Sequence, residues 1–269
     1  MNTHVRGVTR QRISRKNLGK IQIPLPPLEE QKRIAGILDA ADILRAKRRE
    51  ALAKLDDLLQ STFLDLFGDP VTNPKGWEVN QLGDIAIKIT DGEHLNPEFS
   101  DSGMPIVMAG NVLEAGVDIE SAKKVEYSSG ESFRRKCGPE KGDILLVGRG
   151  ATIGRMCVVD TDQAFCLMGS VILVKAQKSL INPAFLSGLL KHPATHRALY
   201  RTSGSSAQQA IYLKDVKKLA CMAPPLDLQR RFAEIVSSVE EQKSKMRKHL
   251  EQLDDLFASL QQRAFRGDL

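Results

Sequence analysis

Apolar positions in this chain fall into two textures. Residues 28–67 place Ile34, Leu38, Ala41, Leu44, Leu52, Leu55, Leu59 and Phe63 at three-and-four spacing, which predicts one long helix. Pro26 and Pro27 lead into it, Glu29 and Glu30 suit the positive end of the helix dipole, and Gly68 and Pro70 stop it. At the helical rise per residue it would be about 55–60 Å long. The stripe resembles a heptad seam, interrupted by Arg48 and its neighbours Lys47 and Arg49. Residues 226–265 repeat the texture through Phe232, Ile235, Val239, Met246, Leu250, Leu253, Phe257 and Leu260, ending near Gly267.

The stretch between the two predicted helices is different. Short β-rich runs such as Ile85–Ile89, Ile144–Val147 and Val171–Val174 alternate with Gly, Asn and Ser turns. Asn182–Leu190 reads as a short helix, with Pro193 after it. The expected fold class is α+β: one mixed α/β domain flanked by two long helices of equal length, which pair as an antiparallel coiled coil. The expected division is a tail over residues 1–27, the first helix over 28–67, the domain over 68–225 and the second helix over 226–269. The interface positions expected on the helices are Ile34, Leu38, Leu52, Leu55 and Leu59 on the first, and Phe232, Val239, Leu250, Leu253 and Leu260 on the second.

These two helices are copies of each other. Shifting the sequence by 198 positions lays residues 11–67 on residues 209–265 without a gap, and 20 of the 57 pairs are identical. Pro26, Pro27 and Leu28 fall on Pro224, Pro225 and Leu226, and Gln31 and Arg33 fall on Gln229 and Arg231. Leu52, Leu55, Asp56, Asp57 and Leu58 fall on Leu250, Leu253, Asp254, Asp255 and Leu256. The separation is too long for a solenoid repeat, so one element is used twice around a globular domain, as in an adaptor.

Charge adds a direction. The net charge is +6, and residues 1–67 carry five more Lys and Arg than Asp and Glu. The stretch 68–203 is nearly balanced. Arg6, Arg10, Arg12, Arg15, Lys16 and Lys20 form the densest basic segment, without an acid among them, which suits a polyanionic partner. Cys137, Cys157, Cys166 and Cys221 are scattered with no C-x-x-C pair, as expected of buried reduced thiols in a cytoplasmic protein with no zinc site. No apolar run reaches the length of a membrane helix, and no membrane partner is expected.

Enzyme signatures fail on spacing. Gly148, Gly150 and Gly154 do not give G-x-G-x-x-G, and no Walker Lys-Ser/Thr follows. His192 and His196 have i, i+4 spacing, but Pro193 lies between them and no H-E-x-x-H accompanies them. Asn96-Pro97-Glu98-Phe99 approaches the Asn-Pro-Pro-Tyr/Phe motif of amino-methyltransferases, with Glu in place of the second proline and no glycine-rich cofactor loop. Glu30-x-Lys32 and Glu241-x-Lys243 match part of a nuclease signature but lie within the predicted helices. No catalytic residue, metal or cofactor is expected on this chain.

Recognition chemistry fits better. Thr202, Ser203, Gly204, Ser205, Ser206, Gln208 and Gln209 form a small polar run before the second proline pair. Asp91, Gly92, Glu93 and His94 form a polar turn, and Arg149 sits in a glycine loop. Gln and Arg bond purine edges in the major groove, while Ser, Thr and backbone N–H groups hold phosphates. The expected DNA-contacting positions are Lys88, Thr90, Asp91, Gly92, His94, Arg149, Thr202, Ser203, Ser205, Ser206, Gln208 and Gln209, on loops 88–96, 148–152 and 202–209.

Pro26-Pro27-Leu28-Glu29-Glu30-Gln31-Lys32-Arg33-Ile34 and Pro224-Pro225-Leu226-x-x-Gln229-Arg230-Arg231-Phe232 each lead into a long charged helix. Both resemble the conserved regions of the specificity subunit of type I restriction-modification systems. Gly76-Trp77, Leu82-Gly83-Asp84-Ile85, Asp91-Gly92-x-His94, Gly142-Asp143-Ile144-Leu145, Gly150-x-x-x-Gly154 and Gly204-Ser205 are similar to the framework of that family's target-recognition domains. The resemblance implies a non-catalytic subunit in which a recognition domain reads half of a split double-stranded DNA site. The paired helices would space the half-sites and dock two modification subunits, which carry S-adenosylmethionine and methylate adenine. A restriction (motor-nuclease) subunit would join for cleavage.

Family members usually run domain, helix, domain, helix. Here Met1 falls opposite Leu199, so the chain is expected to be a half-subunit with one recognition domain. Either two copies form a homodimer on a palindromic split site, or a companion half-subunit supplies the other reader. The rival expectation is a truncated interaction subunit that binds modification or full specificity subunits without reading DNA. A methyltransferase reading rests on Asn96–Phe99 alone.

Overall fold

The computed structural model describes residues 13–23, 25–201 and 210–269. A short helix α1 (Arg15–Leu18) precedes the long helix α2 (Leu28–Phe67). Next come β1 (Val79–Gln81), β2 (Ala86–Asp91), β3 (Met104–Val107), β4 (Val112–Leu113), β5 (Gly116–Val117) and β6 (Lys123–Val125). Helix α3 (Tyr127–Lys136) is followed by β7 (Ile144–Val147), β8 (Met156–Val158), β9 (Cys166–Leu167) and β10 (Val171–Ala176). Helices α4 (Pro183–Lys191), α5 (Pro193–Arg201) and α6 (Leu213–Lys218) lead to β11 (Ala220–Met222) and the second long helix, α7 (Leu226–Arg266). Pro193 follows α4 and also opens α5, where its missing N–H costs nothing.

Two compact units divide these elements, and the division passes through both long helices. One takes in the described residues up to Lys54, with α1 and the first part of α2, together with Gln242–Leu269; the other is Leu55–Glu241.

In the first unit the helices run antiparallel. Arg45 Nε donates to Asp254 Oδ1 at 2.6 Å, and Arg33 Nη2 donates to the Leu269 carbonyl at 2.7 Å, so rising numbers on α2 meet falling numbers on α7. Lys243, Met246, Leu250, Leu253, Phe257 and Leu260 make an alternating four-and-three stripe of buried and half-buried positions on α7. On α2 the matching stripe is Ala41, Arg45, Arg48 and Leu52. Leu44, read from the sequence as part of the seam, is 53% exposed, while the Arg45 side chain is 18% exposed. The correction follows from geometry: the rhythm 41, 45, 48, 52 keeps one face of the helix toward its neighbour, and position 44 falls off it. Arg48 therefore belongs to the seam it was expected to interrupt.

In the second unit a sheet separates the two larger of three apolar clusters. Four strands pair antiparallel in the order β2-β10-β7-β8. Side chains alternate across them, so Ile172, Val174, Ile144 and Leu146 enter one core while Val171, Leu173, Leu145 and Val147 enter the other. That is why these runs are continuous in apolar residues rather than alternating. A second sheet, β6-β3-β9, includes the parallel pair β3–β9. The first core is closed by an aromatic cluster: Phe67 and Phe185 lie 4.6 Å apart, and Phe232 sits 5.5 Å from both Phe63 and Phe67. Phe232, expected on the helix interface, therefore packs on α2 and serves the domain core at once. Both helix ends belong to the domain because these rings are buried there.

Each copy of the repeat enters its helix through the same device. Gln31 Nε2 donates to the Pro26 carbonyl at 2.7 Å, and Gln229 Nε2 donates to the Pro224 carbonyl at 2.6 Å. Gln229 is fully buried and its Oε1 also accepts from the Asn182 N–H at 2.7 Å, just ahead of α4. The preceding residues differ. Cys221 is fully buried in β11, paired with β1, whereas its repeat equivalent Ile23 is 74% exposed.

Candidate nucleic-acid interface

The loop after β2 is built around residues that cannot move independently. Asp91 ends the strand opposite Ile172 of β10, and His94 Nε2 lies 2.8 Å from Asp91 Oδ2. Lys136, at the end of α3, donates to the Gly92 carbonyl at 2.7 Å and reaches Asp91 Oδ1 at 3.4 Å. Glu93 Oε1 accepts from the N–H groups of His94 and Leu95 at 2.7 and 3.0 Å. A Cβ on Gly92 would lie 2.2 Å from the Leu167 carbonyl oxygen, so no other residue fits there without moving backbone. The His94 ring occupies the space a side chain at residue 169 would need, which explains Gly169.

Burial opposes ionisation of Asp91, but the hydrogen bond from His94 and the charges of His94 and Lys136 outweigh it, holding the carboxyl below its ordinary value. The Asp91-Gly92-x-His94 motif thus forms a braced acidic corner. Lys88 and Thr90 alternate with Asp91 along β2 and lie on its other face. Lys88 instead lies near Cys137, where its charge opposes the upward push that burial gives the thiol.

Arg149 sits at the opposite wall. The glycine turn after β7 is fixed by Gly148 N–H to the Ser170 carbonyl at 2.8 Å and by Ile211 N–H to the Gly148 carbonyl at 2.9 Å. Arg149 forms an isolated antiparallel bridge with Ala210, which leaves its side chain exposed. Asp91, Gly148, Arg149, Ile172, Tyr212 and Lys214 line a cleft of about 390 Å³. Among the sequence-derived site residues, Asp91 and Arg149 are brought to this one cleft, with His94 bracing the first. Thr202, Ser203, Ser205, Ser206, Gln208 and Gln209 lie outside the described residues. Lys136, Tyr212 and Lys214 were not expected. Tyr212 and Lys214 stand directly after the polar run that the sequence did single out, and Lys136 had no local signal.

The glycine and histidine features weighed as chemistry have structural roles. His196 Nε2 lies 2.9 Å from the Gly154 carbonyl oxygen, and the Tyr200 hydroxyl donates to the Ile153 carbonyl. Lys123 Nζ lies 4.2 Å above the Phe99 ring, at the end of Asn96–Phe99. Among the described residues no cluster of three His, Cys, Asp or Glu could hold a metal, and no described helix is long and apolar enough to cross a membrane.

Residues 1–54 and 74–254 match the family described as type I restriction modification DNA specificity domain. The chain is 24% identical over 299 residues to the EcoBI type I restriction enzyme specificity subunit of Escherichia coli, covering all of this chain and 63% of that protein. It is 24% identical over 253 residues to the MjaIX specificity subunit of Methanocaldococcus jannaschii, covering 87% of this chain and 57% of the relative. Among solved structures, the HsdS subunit from Thermoanaerobacter tengcongensis matches 99% of this chain and 66% of its own, at TM-score 0.53 and 22% identity. The type I S subunit from M. genitalium matches 97% and 68%, at TM-score 0.57 and 20% identity. The chain thus spans about 60% of the length of these curated relatives.

Proposed function

Because the chain belongs to the type I restriction modification DNA specificity family, we propose that it is a non-catalytic subunit whose α+β domain reads one half of a split site in double-stranded DNA. The observation that carries this reading is the cleft that pairs Asp91 with the exposed Arg149. A guanidinium donates two bonds to a guanine edge, and a carboxylate accepts from the amino group of cytosine. The braced loop after β2 and the turn after β7 supply the rigidity that base discrimination requires. Lys88, Thr90 and the run 202–209 are assigned to the same reading on sequence grounds.

In this reading the antiparallel helices carry the protein partners: modification subunits, which bring S-adenosylmethionine, and a restriction subunit. This chain binds no cofactor itself. A second reader comes from a second copy of the chain or from a companion half-subunit, and the complex works in the cytoplasm.

The test is the methylation pattern produced when the chain is combined with its modification subunits. Arg149→Ala and Asp91→Asn are expected to abolish or change the methylated motif while leaving complex mass by light scattering unchanged. A motif identical to that of the unsubstituted chain in both variants would leave only the protein-interaction role.

A further inference from the structure

The wall of the cleft facing Asp91 carries a second cation that the motifs do not contain. Lys214 lines the cleft beside Arg149, and both are exposed. Neither makes an ion pair among the described residues, whereas Lys136 on the Asp91 side is already engaged with Asp91. The Lys214 ammonium stands 5.7 Å from the centre of the Tyr212 ring, which is itself exposed. The segment carrying both residues is tied to the Arg149 turn by the Ile211–Gly148 hydrogen bond and by the Arg149–Ala210 bridge. Among the described lining residues, two cations without an ion pair thus stand on one edge, facing a carboxylate that is already partnered.

Resting on the DNA-reading role, we propose that Lys214 is a phosphate anchor of the reading face and that Tyr212 positions it. An ammonium is a compact point charge with rotating donors, suited to a phosphate oxygen and poor at discriminating base edges. Arg149, planar and forked, reads the base edge next to it. The carboxylate of Asp91 repels phosphate, so the backbone runs along the Lys214 rim and the base edge faces the floor of the cleft. Tyr212 holds the ammonium at the mouth through its ring face. Affinity and sequence preference thus reside on neighbouring residues of one edge.

The experiment selects the full-length chain and its variants on a random duplex DNA library, then measures affinity for the enriched duplex and for an unrelated duplex from 0.05 to 0.3 M NaCl. Lys214→Ala is expected to weaken both duplexes alike, by about eightfold at 0.1 M salt, and to lower the salt slope by about one. The enriched motif stays that of the unsubstituted chain. Tyr212→Leu loses part of that affinity and Tyr212→Phe recovers it. Lys218→Ala, an exposed cation of α6 outside the cleft, serves as the charge control. A Lys214→Ala protein with unchanged affinity overturns the proposal while leaving the DNA-reading role intact. So does an altered motif, or a Lys218→Ala loss of equal size. An unsubstituted chain that enriches no motif overturns the DNA-reading role, and this proposal with it.

Discussion

Arg45 on α2 is held from two directions by α7. Its Nε donates to Asp254 Oδ1 at 2.6 Å, and its guanidinium carbon lies 4.3 Å from the centre of the Phe257 ring. Arg49 adds a second bond to the same carboxylate at 3.0 Å, and Asp42 takes the remaining side of Arg45 at 2.8 Å. A charge in a helix seam specifies register, because a slip of one turn would leave it facing apolar side chains. Asp254 is 42% exposed, so solvent screening keeps the ion pair itself modest.

The Arg45–Asp254 pair is expected to couple by about 1 kcal/mol in a double-mutant cycle of Arg45→Ala and Asp254→Ala, read from urea unfolding of the helices by circular dichroism. Arg45→Ala alone is expected to cost more than Asp254→Ala, since it also removes the contact with Phe257. Equal single effects with no coupling would remove Arg45 as the register determinant.

Gln229→Ala is expected to destabilise the domain by about 2–3 kcal/mol, because it strands the Pro224 carbonyl and the Asn182 N–H in a buried site. Trp77, the single tryptophan, bonds the Phe67 carbonyl through its indole N–H and reports this loss by fluorescence. Gln31→Ala, at the half-buried equivalent position, should cost about 1 kcal/mol or less and leave the Trp77 transition in place. Similar costs for the two variants would mean that burial in the second copy does not matter.

The four thiols should be silent to a thiol reagent in the folded chain at pH 8 and all reactive once it is unfolded. Burial pushes Cys137, Cys157 and Cys221 up to about 12 and Cys166 to about 11. The folded values lie above the unfolded value of about 8.5, so the thiols leave stability intact below that pH. As pH rises from there toward 12, the unfolded state ionises first and stability falls. Alkaline melting curves of the chain with Cys157→Ala and Cys221→Ala together should show a shallower fall above pH 9 than the unsubstituted chain.

Matched deletions of seven residues, one in each long helix, preserve the three-and-four seam and shorten each helix by about 10 Å. If the helices space two readers, the selected half-sites should move about three base pairs closer with each half-site sequence unchanged. Spacing that stays constant would defeat the ruler role.

Much of the architecture was legible in the sequence because its signals are periodic. The three-and-four stripes placed α2 and α7, and the continuous apolar runs placed β7 and β10, whose two faces both meet a core. The seam was legible only in part. Hydrophobicity suggested Leu44, while the helix rotation brings Arg45 inward. Helix α3, rich in Ser, Arg and Lys, offered little apolar pattern, and its Lys136 was missed although it braces the acidic corner.

By itself the sequence determined the repeat, the two long helices, the α+β character of the domain and the family. Each of these is written in local spacing or in residues matched copy to copy. Only the tertiary structure decided which residues share a surface. Asp91 and Arg149 are 58 positions apart in sequence, and pairing of their strands through β10 sets them on one cleft with Lys214. The same holds for burial: the Pro-Pro-Leu entries are alike in sequence, yet Cys221 has β1 beside it and is buried, while Ile23 is exposed. Sequence spacing fixes which way a side chain points along its own element, but strand pairing and packing decide what it meets there.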